Sequence, residues 1–349
     1  MYDLVIIGSG PGGAVLAKEL TRLSPQLKVA AIDGLSRGQT KVCGGLLSPD
    51  SKKALSSLDI EIPENIKLSP KAPLVDTLDL ERGIWKKYER DYLNTDRQGF
   101  DRYLNSLTPR LDRFCGRCVG IAKIKGLFFT KIVSEGETFI LKSRLVAGAD
   151  GAFSIVRRSL FPKEKIHRYT AIQEWYKGVS PDLPDYSCIY DEKTSDSCSW
   201  TIRKEDFYVF GGAFGTKGCK EAFEEQKSRL EERFGEKFPD PERKEACLVC
   251  CPRKKREIFL GYDGAYLVGE AAGLISASSF EGISSAIKSG RYLAEAIAKG
   301  IDIRAITKRY YRKTRLLRIK IALKIPKMKI LTNPKLRSLI MKSGITAKK

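Results

Sequence analysis

Histidine is almost missing from this chain: His167 is the only one in 349 residues. It stands near neither Cys-x-x-Cys pair, Cys115–Cys118 or Cys247–Cys250, and the pairs lie about 130 positions apart. The spacing of a zinc knuckle is met twice, yet no four-ligand set forms, and no metal is expected. Also missing is any run of ~18 apolar residues, the length a spanning helix needs. Nothing is expected to cross a membrane. No charged segment or cleavage site precedes "YDLVIIGSG", which reads as a buried strand entering a glycine turn, so the expected compartment is the cytosol. The nine cysteines are then thiols, not a disulfide framework. Internal repeats and low-complexity segments are absent as well.

Acidic residues are missing from one region only. Positions 303–349 hold 16 Lys and Arg and no Asp or Glu, which leaves 47 basic against 42 acidic residues in positions 1–302. The formal charge of +21 therefore belongs mostly to the tail. The hydrophobic fraction of 42% and charged fraction of 30% are those of a soluble globular protein, and the length suffices for two domains.

What is present begins with a strand over Tyr2–Ile7, a helix over Gly13–Leu23 and a strand over Lys28–Ile32, a βαβ opening. Between them Gly8, Gly10 and Gly13 satisfy G-x-G-x-x-G. Gly8 makes the tight turn, Gly10 lets a pyrophosphate approach the backbone, and Gly13 packs helix on strand. Asp33 ends the second strand, where a carboxylate accepts hydrogen bonds from a ribose diol. The expected fold is α/β: a Rossmann-like nucleotide-binding domain with an inserted α+β substrate domain and a basic helical tail. The nucleotide-binding parts cover 1–59, 94–160 and 257–302, the substrate domain covers 60–93 and 161–256, and the tail covers 303–349. Helices are expected in "RQGFDRYLNSL", over Lys220–Phe234 and over Gly282–Lys299.

The first unit suits NAD or FAD, which share an ADP half. "AGADGAFSIVRR" puts Asp150 and Gly151 after an apolar strand, and "VGEAAG" puts Glu270 at another strand end before Gly273. A ligand extended across the domain needs such distant contacts, and a nicotinamide cofactor in one dinucleotide fold does not. The pattern favours FAD. Gly282 and Ile283 then begin a helix whose free N–H groups suit the anionic edge of a reduced flavin; the small residues there would also serve simple helix packing.

These motifs resemble those of the flavoproteins built like p-hydroxybenzoate hydroxylase, and within them the geranylgeranyl reductase family. The resemblance covers essentially the whole chain and is strongest to the CbrA-type branch, through "CGGLL", "GADGA", "YSCI", "GEAAG", "ISASS" and the basic tail. It implies that Gly8, Gly10, Gly13 and Asp33 contact the ADP half of FAD, that Arg97 in "RQGFD" touches the cofactor, and that Asp150 belongs to its binding motif. Glu270 becomes the partner of the ribityl and pyrophosphate region, at a position that is Asp in most relatives outside this branch. In the family a Lys-x-Cys-Gly segment borders the active site, which makes Cys43 a candidate proton donor, redox sensor or substrate contact, with Cys43 or Lys41 the first candidates to protonate an alkene, and lays Gly44 and Gly45 against the flavin ring. Cys43 has a second reading as a small residue filling a tight place. Of the reductases' Tyr-x-Trp-x-Phe-Pro strand only Trp200 clearly remains; it lines a substrate channel or fills a core.

The implied activity is reduction of a carbon–carbon double bond in an isoprenoid or other lipid-like substrate, with NAD(P)H or a reduced protein carrier as electron donor. A hydroxylase using NAD(P)H and oxygen and a non-catalytic FAD protein are the alternatives. In the tail, Ile303, Ile306, Tyr310, Leu317 and Ile321 share one helical stripe beside Lys308, Arg312 and Arg315. That stripe is expected to lie in an anionic membrane surface, making the protein peripheral on the inner face; packing on the body is the other reading. No nucleic-acid-binding module is visible.

Overall fold

The computed structural model describes residues 1–34 and 42–343. The chain opens with β1 (Tyr2–Ile7), α1 (Pro11–Leu23) and β2 (Val29–Asp33). Pro11 at the first helical position and Gly10 as N-cap start α1 two residues before Gly13, as the fixed φ of proline favours. The next elements are β3 (Leu46–Leu47), α2 (Pro49–Ser56), β4 (Ala72–Asp79) and β5 (Ile84–Asn94). After them come α3 (Arg97–Ser106), β6 (Asp112–Cys115), β7 (Arg117–Ile124), β8 (Leu127–Ser134), β9 (Glu137–Gly148) and α4 (Ile155–Leu160). The chain then forms β10 (Arg168–Lys177), β11 (Tyr186–Tyr190), β12 (Cys198–Lys204), β13 (Phe207–Phe214), α5 (Cys219–Phe234) and β14 (Arg243–Cys250). It closes with β15 (Gly261–Tyr262), β16 (Ala265–Leu267), α6 (Ile283–Ile297), α7 (Ile303–Lys313), α8 (Arg315–Ala322), α9 (Lys324–Thr332) and α10 (Pro334–Lys342).

Two sheets organise these elements. The first runs β15-β16-β9-β1-β2-β6 and is parallel from β16 to β6. Leu4, Val5 and Ile6 of β1 are fully buried, as a strand covered on both faces requires. A β7–β8 hairpin branches from β9, turning at Lys125 and Gly126, which both take positive φ. The second sheet runs β14-β10-β13-β12-β11-β4-β5-β3 and is antiparallel except where β4 meets β11.

Helix α1 lies against α6, and the contact is close because neither helix has a side chain there. A Cβ on Gly290 would strike the Gly12 carbonyl oxygen. With both positions glycine, the two helices pack closely, and the first residues of each line one cavity.

The tail packs on the body. Ile306, Tyr310, Leu317 and Ile321 join the main core cluster with β1, β9 and α6 residues. The stripe expected to meet lipid is thus the inward face of α7 and α8. Arg337 of α10 is 1% exposed and donates from Nε to Asp79 Oδ2 of β4 at 2.8 Å, with a second contact to Glu192 at 2.7 Å. Among the described residues no helix is long and apolar enough to cross a membrane.

Candidate active site

Between the two sheets lies a cavity of about 580 Å³. The carboxyl ends of β1, β2, β9 and β16 supply its floor through Gly8, Asp33, Ala149 and Val268, the place where open parallel sheets bind ligands. Gly8 holds φ +98°, and a Cβ on it would collide with the Ala149 carbonyl, so only glycine makes this turn. A Cβ on Gly10 would meet no atom within 4 Å. Gly10 instead leaves open space in front of α1, whose first turn has no side-chain cap and no acidic residue. Its N–H groups and positive dipole end face the cavity, an arrangement that accepts phosphate.

Two buried oxygens on this floor have no hydrogen-bond partner among the described residues, Ser9 Oγ and Asp150 Oδ1. A buried polar atom without a partner is costly. A ligand with hydroxyl and phosphate groups answers both, and with the open space at Gly10 this floor fits the ADP half of FAD. Asp150 is fixed by its other oxygen, which accepts from the Ile155 N–H at 2.6 Å; burial raises its pKa, while the hydrogen bonds oppose that rise. Glu270 accepts from the Cys250 N–H at 2.9 Å. Asn105 of α3 ties itself to the glycine turn by donating to the Ser9 carbonyl at 2.7 Å.

At the other end Gly282 caps α6, again with no side-chain cap and no acid in the first turn, and Gly282 and Ile283 both line the cavity. Beside them Glu281 accepts from Arg90 Nη2 at 2.9 Å and from the Tyr92 hydroxyl. Burial first, and then the Glu281 carboxylate, hold the Tyr92 phenol far above its usual range, so it keeps its proton. The same wall carries Tyr186, edge-on to Tyr92 at 5.1 Å, and the hydrogen-bonded thiols Cys188 and Cys198.

The Cys43-Gly44-Gly45 loop lines the cavity just before β3 of the second sheet. Its glycines are required on their outer side. A Cβ on Gly44 would strike Ile202, and one on Gly45, at φ +67°, would strike the Thr95 carbonyl. Close packing against β12 and the end of β5 thus demands glycine here before any ligand is considered. Cys43 Sγ accepts from the Gly45 N–H at 3.4 Å and bonds to Arg97, which Asp101 holds in a two-oxygen clamp at 2.9 and 3.0 Å. Beneath the loop Lys204 is 2% exposed and donates to Asn94 Oδ1 at 2.6 Å and to the Thr95 carbonyl at 2.8 Å. Burial pushes its pKa down to about 8, against the pull of Cys43.

The structure brings Gly8, Gly10, Asp33, Cys43, Gly44, Gly45, Arg97, Asp150, Gly151, Trp200, Glu270, Gly282 and Ile283 to this one cavity. Two expected contacts lie elsewhere. Gly13 is off the wall, where a Cβ would strike the Gly8 carbonyl, and Gly273 sits at φ +73° against the Glu257 carbonyl. Both glycines serve backbone packing. Lys41 lies outside the described residues. Trp200 lines the cavity, and its indole Nε1 is buried without a hydrogen-bond partner among the described residues.

Sequence reasoning missed Tyr92, Glu281, Lys204 and the Cys188–Cys198 pair. Glu281 alone left a signal, since it immediately precedes Gly282; the others are gathered by sheet pairing across long separations.

No family model matches the chain. Protein CbrA of Shigella sonnei (strain Ss046) is 35% identical over 353 residues, covering 99% of this chain and 97% of that protein. Protein CbrA of Escherichia coli (strain K12) is 35% identical with the same coverage. Among solved structures, a geranylgeranyl bacteriochlorophyll reductase-like protein from Thermoplasma acidophilum superposes with a TM-score of 0.79 at 20% identity, covering 99% of this chain and 94% of that one. The flavin-dependent brominase Bmp2 gives 0.69 at 21% identity, over 98% and 92% of the two chains. HpxO of Klebsiella pneumoniae, solved with FAD, gives 0.71 at 13% identity, over 98% and 94%. The fold is the Rossmann-type fold of these flavoproteins, and the chain belongs to the CbrA family.

Proposed function

We propose that this protein is a FAD-dependent oxidoreductase that reduces a carbon–carbon double bond of an isoprenoid or similar lipid-like substrate at a membrane surface. The observation that carries the reading is one continuous cavity with a phosphate-accepting floor at Gly10 and an apolar, thiol- and phenol-bearing wall beyond it. Leu46, Ile202, Val249, Ile275 and Phe280 on that wall suit a hydrocarbon chain.

Ser9, Asp33, Asp150 and Glu270 would hold the adenosine and pyrophosphate side, and the first turn of α6 would face the ring. Reduced by the electron donor and bound there, the flavin would supply a hydride to one alkene carbon and be left oxidised. Cys43 holds the proton for the other. The positive charges of Arg97 and Lys204 beside it would stabilise the thiolate left behind. Tyr92, locked to Glu281, keeps its proton and orients the opposite side of the substrate. The electron donor is NAD(P)H or a reduced protein carrier.

A hydroxylase on the same fold would consume oxygen in step with product. The test is an oxygen electrode run beside product analysis, with a polyprenyl phosphate as substrate. The reductase reading expects saturated product and no coupled oxygen uptake; product that forms only with oxygen overturns it.

A further inference from the structure

The tail buries one apolar stripe and exposes another. On α8 Leu316 and Ile319, and Leu323 at its C-cap, follow at spacings of three and four and point away from the body, Leu316 being 78% and Leu323 65% exposed. Ile330 of α9 and Leu336 and Leu339 of α10 are exposed too, Leu339 at 68%. The opposite sides of these helices carry Leu317, Ile321, Ile325, Met328 and Arg337, all buried. Fourteen large apolar side chains are exposed among the described residues, and six of them fall within positions 316–339. Such clustering marks an interaction surface.

The charge around the cluster selects the partner. Arg315, Lys320, Lys329, Lys335 and Lys342 are exposed on the same helices, Lys320 being paired with Asp50 at 3.0 Å, and no acidic residue follows Asp302 anywhere in the chain. A second copy would bring the same cations against these, which like-charge repulsion opposes. A nucleic acid would use the lysines and leave the leucines wet. An anionic bilayer uses both, because leucines enter the acyl boundary while Lys and Arg stay at the headgroups.

We propose that the exposed face of α8, α9 and α10 docks on an anionic lipid bilayer, with these helices lying in the plane of its surface. At 8 to 9 residues each they reach about 13 Å, far short of a span. The proposal deepens the reading above and rests on it for its purpose. Ile325 and Met328, on the inner side of α9, pack with Val249 and Phe280, which also line the cavity. One layer of helix thus separates the bilayer face from the substrate wall, so a lipid-like substrate has a short path inward.

The test uses the full-length flavin-loaded protein, phosphatidylglycerol–phosphatidylcholine vesicles and phosphatidylcholine vesicles. The key variant is Leu316→Ser/Leu323→Ser/Leu339→Ser; its three side chains are exposed, and an unchanged melting temperature checks its fold. Wild type is expected to float with anionic vesicles only, and to keep a bound fraction at about 0.5 M salt, where charge is screened within a few ångströms. The triple variant is expected to bind at least tenfold more weakly. Leu323→Trp is expected to show a blue-shifted emission, quenched by brominated lipid. Wild type ignoring anionic vesicles overturns the proposal, as do equal binding by the triple variant and an unquenched Trp at 323. Dimerisation that the three serines abolish would do so as well, by making the face a self-contact. Since no turnover is read, failure here removes the membrane surface from the reading above and leaves double-bond reduction standing, and a failed reductase test leaves vesicle binding unaffected.

Discussion

Cys43 and Lys204 form the residue pair on which the proposed chemistry turns, and neither is interpretable alone. A thiol in a glycine loop is ordinary. One flanked by a clamped Arg97 and a buried lysine has two cationic neighbours that would favour its thiolate, the basis of the proposed acid role. Cys43→Ala should therefore retain FAD and slow flavin reoxidation by substrate about 100-fold, the usual scale for losing a general acid; stopped-flow absorbance checks it. Lys204→Met should move the pH midpoint for alkylation of Cys43 upward, read by peptide mass spectrometry. Lys204 also leaves a mark on stability. Its pKa in the fold is about 8 against an ordinary 10.5, so below pH 8 the fold carries the cost of a buried charge. Between the two values the unfolded chain binds more protons, and that contribution improves as pH rises. Wild type should gain thermal stability relative to Lys204→Met between pH 7.5 and about 9.5, a comparison that differential scanning calorimetry makes directly. Nothing in "SWTIRKEDF" announces this lysine. It is buried because β12 ends beneath the loop at Gly45, a contact between residues about 160 positions apart.

At the scale of elements, the opening βαβ unit was legible because its parts have local causes, an apolar strand, a glycine turn and an acid at the next strand end, although the helix starts at Pro11, two residues before the expected Gly13. The glycines of the cavity loop were legible as a motif but not for their reason, since Ile202 and Thr95 press on them from a sheet that the local sequence does not mention. Gly273 and Gly13 show the converse, motif glycines that meet a backbone carbonyl and not the cavity. In the tail the period was read correctly and the side wrongly. Two apolar stripes share α8, and periodicity cannot say which one faces the body. The α1–α6 contact is where an element-level change should do most harm. Gly290→Leu has no room against the Gly12 carbonyl, so it should push the helices apart, widen the glycine turn and yield protein with little bound flavin and a lowered melting temperature, both measurable on the purified variant.

At the scale of the molecule, the tail is a structural clamp as well as a surface. Arg337 and Asp79 are 1% and 0% exposed, so removing one partner strands a buried charge. Arg337→Met should destabilise the protein by about 3–5 kcal/mol in urea unfolding, and Asp79→Asn beside it should recover part of that loss. Deleting the whole tail would expose Leu267, Tyr266 and the other core residues that Ile306 and Tyr310 cover, so truncation reports on folding and not on membrane binding alone. In the proposed reading, one cavity joins a flavin cradle to a hydrocarbon wall. That reading is tested most directly by photoreducing the purified protein without oxygen, adding a polyprenyl phosphate, and following flavin absorbance. The account predicts reoxidation with one double bond lost per flavin; flavin that stays reduced with every polyprenyl lipid offered, yet reoxidises with product only when oxygen is admitted, would contradict it.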